Sequence, residues 1–318
     1  METSGVSIRD AVLGATGQEV TVVYVHGAGN QPPREQLKRR WDDDLFGRDM
    51  GQRTQMAHYA DLLHAQPAAI GADASTPDEA LAALAAVTGE PVADLGAGSA
   101  GDQAMAAEEA KMFAGLTPRG QQLALSLSIH MATRAASQPP TANQSVTGIL
   151  PASVRRLLLR QLLQRLIPDA DSYLFTDKRN AIQDRLRQAL DAVSGPVIVV
   201  GHSLGTIIAY DVLSEPRFGG RAVPLLVTLG APLGYNEIQD VITQPLRVPA
   251  PVVLWANFAD PLDVVTLDTT LADDFGAGTR IIDTQVDNPA LNNHDSGGYL
   301  RAPQVRSRVN AALPAAAG

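Results

Sequence analysis

The chain has no cysteine among its 318 residues, which removes disulfides, thiolate metal sites and a thiol nucleophile together. A cysteine-free chain is compatible with the cytoplasm without requiring it. Positive charge is also short: 25 Lys and Arg stand against 34 Asp and Glu, a formal net charge of −9. Such a balance repels nucleic acid and anionic lipid headgroups, so no nucleic-acid partner is expected. No apolar run reaches the roughly eighteen residues that a membrane-spanning helix needs. The opening "METSGVSIRDAVLGATGQEV" lacks the basic start and apolar stretch of a secretory leader. These absences predict a cytoplasmic protein with no transmembrane segment.

What is present alternates between strand and helix signals. "EVTVVYVHGAGN" carries a β-rich run, Val20 to Val25, that ends in a glycine-rich loop. Its nearly continuous apolar character suits a strand buried on both faces, as in a parallel sheet. "PREQLKRRWDDDLFG" reads as a helix between Pro33 and Gly47, and "TQMAHYADLL" as a second, shorter strand. The texture then changes. Residues 62–170 lose their strand signals and become Ala-rich and helix-favouring. Thr76, Pro77, Asp78 and Glu79 form a capping box, "DLGAGSAGD" is a small-residue stretch, and Val154, Leu158, Leu162 and Leu166 share one helical face. The arginines around that face invite a membrane-surface reading, but the net charge favours packing on the chain's own domain. We read the block as a helical insertion, a lid, in a core of residues 1–61 and 171–318.

Alternation resumes with a helix from Lys178 to Ala192, a strand from Val197 to Val200 and a helix from Leu204 to Leu213. Strands at Pro224 to Leu229, at Val252 to Ala256 and in "TRIIDTQVDN" follow, and a closing helix from Gly298 to Ala312. No internal repeat is visible. The pattern predicts an α/β fold, a mostly parallel sheet with helices on both faces.

Gly201-His202-Ser203-Leu204-Gly205 fits G-x-S-x-G between a buried strand and an apolar helix, the setting that presents a serine at the head of a sheet. Without that context the motif is an ordinary glycine-rich turn. A serine hydroxyl needs a base. Of the six histidines, His294 alone follows Ser203 by more than a turn, in the polar run "DNPALNNHDSGGYL"; the bland alternative is a solvated loop histidine. His202, beside the serine, is expected to pack under the turn. The loop "WANFADPLDVV" offers Asp260 and Asp263 as the acid that orients the base. Spacing from the strand favours Asp260, whereas Val264 and Val265 after Asp263 can anchor its loop. For an oxyanion, the backbone N–H groups of Leu204 and Ala28 are the candidates, with Gly27 and Gly29 leaving room for close approach. "GAGNQP" lacks the spacing of a dinucleotide fingerprint.

On "VYVHGAGN", "VIVVGHSLGTIIAYDVL", "LVTLGAPLG", "NFADPLDVV" and "NNHDSGGYL" the chain resembles the α/β-hydrolase superfamily, of the lipase/esterase type. The likeness covers Val20 to Asp61 and Asp171 to about Val309, and leaves the helical block uncovered. Asp263-Val264-Val265 is similar to the acid-bearing run of some lipases, which favours Asp263 over Asp260. The resemblance implies a Ser-Asp-His serine hydrolase that needs no metal or cofactor and acts on a small-molecule or lipid-like carboxylic ester through an acyl-enzyme. A peptidase or amidase with the same triad is the alternative, and a non-catalytic binding module of the same fold a third.

Overall fold

The computed structural model describes residues 19–68, 110–137, 166–266, 268–276, 280–289 and 293–314, with backbone alone for 128–137. The chain builds one six-stranded sheet, and every strand pairs in parallel. The strands are β1 (Thr21–Val25), β2 (Thr54–Ala57), β3 (Val197–His202), β4 (Val223–Leu229), β5 (Val252–Ala259) and β6 (Ile281–Gln285), in the spatial order β2-β1-β3-β4-β5-β6. The helices are α1 (Arg34–Phe46), α2 (Pro118–Ser137), α3 (Lys178–Asp191), α4 (Leu204–Leu213), α5 (Ser296–Arg301) and α6 (Pro303–Ala312). Residues 110–115 and 166–175 are also helical.

The continuous apolar runs follow from a sheet covered on both faces. Along β1, Val22 and Tyr24 point to one face and Val23 and Val25 to the other; along β3, Ile198 and Val200 alternate with Val197 and Val199. The register Val22↔Ile198 and Val200↔Val227 keeps like faces together. One face packs on α1 through Leu37, Trp41 and Leu45 and on the last helices through Tyr299, Val305 and Val309. The other packs on α3 through Ile182, Leu186 and Leu190 and on α4 through Ile207 and Ile208.

The strand order dictates where a ligand would sit. The chain steps from β1 to β2 on one side, then returns past β1 to β3 and continues the other way. Such a reversal is where open α/β sheets place their ligands, outside the carboxyl ends of the strands, here β1 and β3.

Three boundaries differ clearly from the sequence reading. β5 runs on to Ala259, because residues 257–259 continue the pairing with β4 and β6. β3 runs on through Gly201 and His202, because both continue the ladder to β4. The closing helix is two helices: Pro303 disfavours the helical region for the residue before it, and Ala302 sits at φ −57°, ψ 129°. The Thr76 to Glu79 capping box, the stretch from Asp94 to Asp102 and the stripe at Val154, Leu158 and Leu162 lie outside the described residues. No helix among the described residues is long and apolar enough to cross a membrane.

The helical stretch 166–175 is fastened to α4 by a buried carboxylate. Asp211 accepts from the Tyr173 hydroxyl at 2.6 Å and the Arg179 guanidinium at 2.7 Å through one oxygen. Its other oxygen accepts from the Thr243 N–H and hydroxyl, each at 2.8 Å. Removing one member strands the rest in a poorly hydrated site. Asp211→Ala is expected to cost about 3 kcal/mol of unfolding free energy, at the low end because the Arg179 side chain keeps 28% exposure. Tyr173→Phe should cost about 1–2 kcal/mol. Urea unfolding of the two variants checks both the sizes and their order.

Candidate active site

β3 ends against α4 with no intervening loop. Ser203, the single residue between them, adopts φ 51° and ψ −125°. Its N–H donates to the Leu229 carbonyl at 3.0 Å, extending the ladder, and its carbonyl accepts from the Thr206 N–H at 2.9 Å and hydroxyl at 2.7 Å. With the peptide groups on both sides occupied, the side chain points outward from the turn. The two motif glycines are required by close approach. A Cβ on Gly201 would lie 2.8 Å from the Gly205 carbonyl oxygen, and one on Gly205 would fall on the carbonyl oxygens of Val25 and His26. The motif therefore wedges α4 directly against the end of β1.

The end of β5 leads into a loop built by its own carboxylates. Asp260 Oδ1 accepts from the Leu262 N–H at 2.7 Å, and Asp263 Oδ1 from the Val265 N–H at 2.9 Å. The remaining oxygens diverge. Asp263 Oδ2 lies 2.7 Å from His294 Nδ1 and accepts from the Tyr299 hydroxyl at 2.7 Å. Asp260 Oδ2 accepts from the Asn288 N–H at 2.7 Å and Asn293 Nδ2 at 3.4 Å. Asp260 thus stitches its loop to the segment before His294, while Asp263 meets the histidine itself. Burial pushes the Asp260 carboxyl above its usual range, against the pull of these donors.

His294 Nε2 lies 2.9 Å from Ser203 Oγ. Because a carboxylate can only accept, Nδ1 carries the proton toward Asp263, which leaves Nε2 as acceptor for the serine hydroxyl. The three side chains are buried, Ser203 at 2%, His294 at 4% and Asp263 at 0% exposed. Of the polar run, Asn288, Asn293 and His294 are buried, unlike a solvated loop, while Asp287 and Pro289 are exposed. Asn293, at φ 52°, turns the chain inward, and Asp295 caps α5 by accepting from the Gly298 N–H at 2.7 Å. His202 donates from Nε2 to the His294 carbonyl at 2.9 Å, so it holds the neighbouring histidine from under the turn.

The loop after β1 stands opposite. A Cβ on Gly27 would press within 2.8 Å of His202 Nδ1 and 2.9 Å of Ser203 Cβ, so the backbone passes the serine closely. Ala28 follows, half-buried. Leu204 opens α4, where the first backbone N–H groups have no carbonyl one turn earlier. His26 is locked below: its Nε2 accepts the Tyr59 N–H at 3.0 Å, so Nδ1 donates to the Gly27 carbonyl at 2.7 Å.

Sequence reasoning passed over Tyr299, Asn293, Tyr59 and Asp169. Tyr299 donates to Asp263 and also accepts the Asp260 N–H at 3.0 Å, yet "SGGYL" contains no local signal for either bond. Asn before His in a polar run is a mild cue for the left-handed conformation that Asn293 adopts.

No family profile and no curated protein matches this chain. Among solved structures it is similar to a YdeN-like hydrolase from Pectobacterium atrosepticum, with 17% identity and a TM-score of 0.31 over 42% of this chain and 71% of that one. The fold class accordingly rests on the chain's own parallel sheet.

Burial, then the neighbouring His58, pushes His26 down to about 3, against the pull of its bond to Gly27. Burial, then His294, holds His202 well below the usual imidazole value. In the unfolded chain each protonates near pH 6.5. The folded state refuses that proton, so the stability it contributes is complete above about pH 6.5 and falls by up to about 1.4 kcal/mol per unit and per ring as pH drops toward the folded value. Urea unfolding at about pH 7.5 and about pH 5 should differ by at least about 2 kcal/mol, the acidic sample being weaker. Equal stabilities would contradict neutral buried rings.

Proposed function

We propose that the chain is a serine hydrolase of the α/β-hydrolase type, cleaving carboxylic esters of small or lipid-like molecules. The observation that carries this reading is the unbroken line of hydrogen bonds from Ser203 through His294 to Asp263, buried at the head of the sheet. In this reading Ser203 Oγ attacks the ester carbonyl carbon while His294 Nε2 takes its proton. The carbonyl electron pair moves onto oxygen, where the N–H groups of Leu204 and Ala28 stabilise the charge. Collapse re-forms the carbonyl, breaks the bond to the alcohol and passes the proton from His294 to the departing oxygen. Water repeats the sequence on the acyl-enzyme, giving the carboxylic acid and free Ser203. Asp263 holds the imidazole in its tautomer and stabilises the imidazolium, and Asp260 serves by positioning the loop. Each step balances without a metal or cofactor. The division into a core of residues 1–61 and 171–318 with a helical insertion at 62–170 belongs to the same reading. Leu123 of α2 joins the apolar cluster that contains Leu204 and Leu233, which supports a place for that block beside the ligand position.

The first test replaces the nucleophile. Ser203→Ala should keep its fold and lose roughly six orders of magnitude in turnover of a short ester. Retention of more than a few per cent of wild-type rate would overturn the assignment. A second measurement compares the carboxylates. Asp263→Asn should lower kcat by roughly ten thousandfold, because the amide favours the wrong imidazole tautomer, whereas Asp260→Asn should act mainly on stability. The reverse order would hand the acid's role to Asp260.

A further inference from the structure

A carboxylate from far along the chain reaches the loop that carries Ala28. Asp169, in the helical stretch 166–175, is 3% exposed, and its Oδ2 accepts the Gly29 N–H at 2.7 Å across 140 sequence positions. His64 Nε2 lies 3.1 Å from the same oxygen, with its side chain 29% exposed. Gly29 stands at φ 93°, a conformation in which the backbone has no Cβ to resist rotation of the adjoining peptide. Ala28 therefore lies between two fixed points, Gly27 against Ser203 and Gly29 on Asp169. Asp169 is itself fixed, because Tyr173 on the same stretch donates to Asp211 in the helix that begins beside Ser203.

We propose that Asp169 is a positioning residue for the reaction: by holding the Gly29 N–H it sets the turn that aims the Ala28 N–H at the oxyanion. This rests on the hydrolase reading above. Its effect belongs to the transition state, since the ground-state carbonyl carries little charge for Ala28 to stabilise. Losing an oxyanion donor outright costs roughly 100- to 1,000-fold in kcat; misaiming one should cost less.

The test uses the full chain and a short p-nitrophenyl ester. Asp169→Ala should lower kcat roughly 10- to 100-fold with KM within about twofold, and weaken a trifluoromethyl ketone that forms a tetrahedral adduct by a similar factor. Asp169→Asn, which keeps a side-chain carbonyl for Gly29, should recover most of the loss. A folded Asp169→Ala with kcat within about twofold of wild type, a rise in KM alone, or an Asn variant as impaired as Ala would each overturn the proposal. If the Ala variant does not fold, Asp169→Ser, too short to reach Gly29, carries the same expectation. Hydrogen exchange at the Gly29 amide of the intact chain must be slow, and fast exchange refutes the anchor directly. If a fluorophosphonate fails to label Ser203 in the wild type, the hydrolase reading falls and this inference with it. Labelling together with an unaltered Asp169→Ala fails this inference alone.

Discussion

Ser203 holds a backbone conformation that a residue with a Cβ enters only when its surroundings leave no alternative, at a cost of about 1–3 kcal/mol. Those surroundings are the sheet itself. β3 is flanked on both sides, by β1 with Val25 opposite Gly201 and by β4 with Leu229 opposite His202. The ladder to β4 takes the Ser203 N–H, and α4 takes its carbonyl. The pairing with β1 adds a third restraint, the close approach of Gly205 to the Val25 and His26 carbonyls, which an edge strand would lack. The strained turn is thus coupled to the reversal of strand order, because the same topology that places β1 beside β3 also puts the ligand position of such sheets at their carboxyl ends. A side chain at Gly205 would push α4 off the end of β1, and one at Gly201 would push it off β3; either would release the turn.

Two carboxylates three residues apart serve different ends because their second oxygens meet different partners. Each first oxygen closes a short turn onto a backbone N–H two residues on, a local bond that any Asp can make. Beyond that, Asp260 is consumed by donors from the segment that leads to His294, while Asp263 keeps one oxygen for the imidazole and Tyr299. Tyr299 couples the two, accepting the Asp260 N–H as it donates to Asp263. Burial and the Asp263 charge both keep that phenol protonated and able to donate.

Local signals in the sequence carry the parallel sheet, most strand positions and the Gly201 to Gly205 turn, since each depends on periodicity or on residues that touch within a few positions. Pro303 shows in the sequence too, but its break at Ala302 is masked by helix-favouring residues on either side. The choice between Asp260 and Asp263 is barely legible, because it depends on contacts with Asn288, His294 and Tyr299, 28 to 36 positions away. His294 shows the same limit. Its polar neighbours suggest solvent, yet they are the donors and acceptors that let the segment be buried: Asn293 bonds the Asn288 carbonyl and Asp295 caps α5. Asp169 and Tyr173 leave no local trace at all, since their partners lie 140 and 38 positions away.

The stretch 166–175 shows how those long-range bonds divide the labour. Asp169 and Tyr173, four residues apart, share one helical face and turn toward the loop after β1 and toward α4. Asp171, between them in sequence, faces another way and accepts from the Thr117 hydroxyl at 2.5 Å and N–H at 3.2 Å, at the start of α2. Ile167 packs with Leu116 and Ala124, and Ser126, near the middle of α2, bonds Glu237 in the short helix Asn236–Gln239. One short helix therefore holds α4 and the loop after β1 with two side chains and α2 with a third. The boundary read at residue 170 falls inside it. α2 is thus joined to α4 and to the loop after β1 through one helix, by Asp171 on one side and by Asp169 and Tyr173 on another.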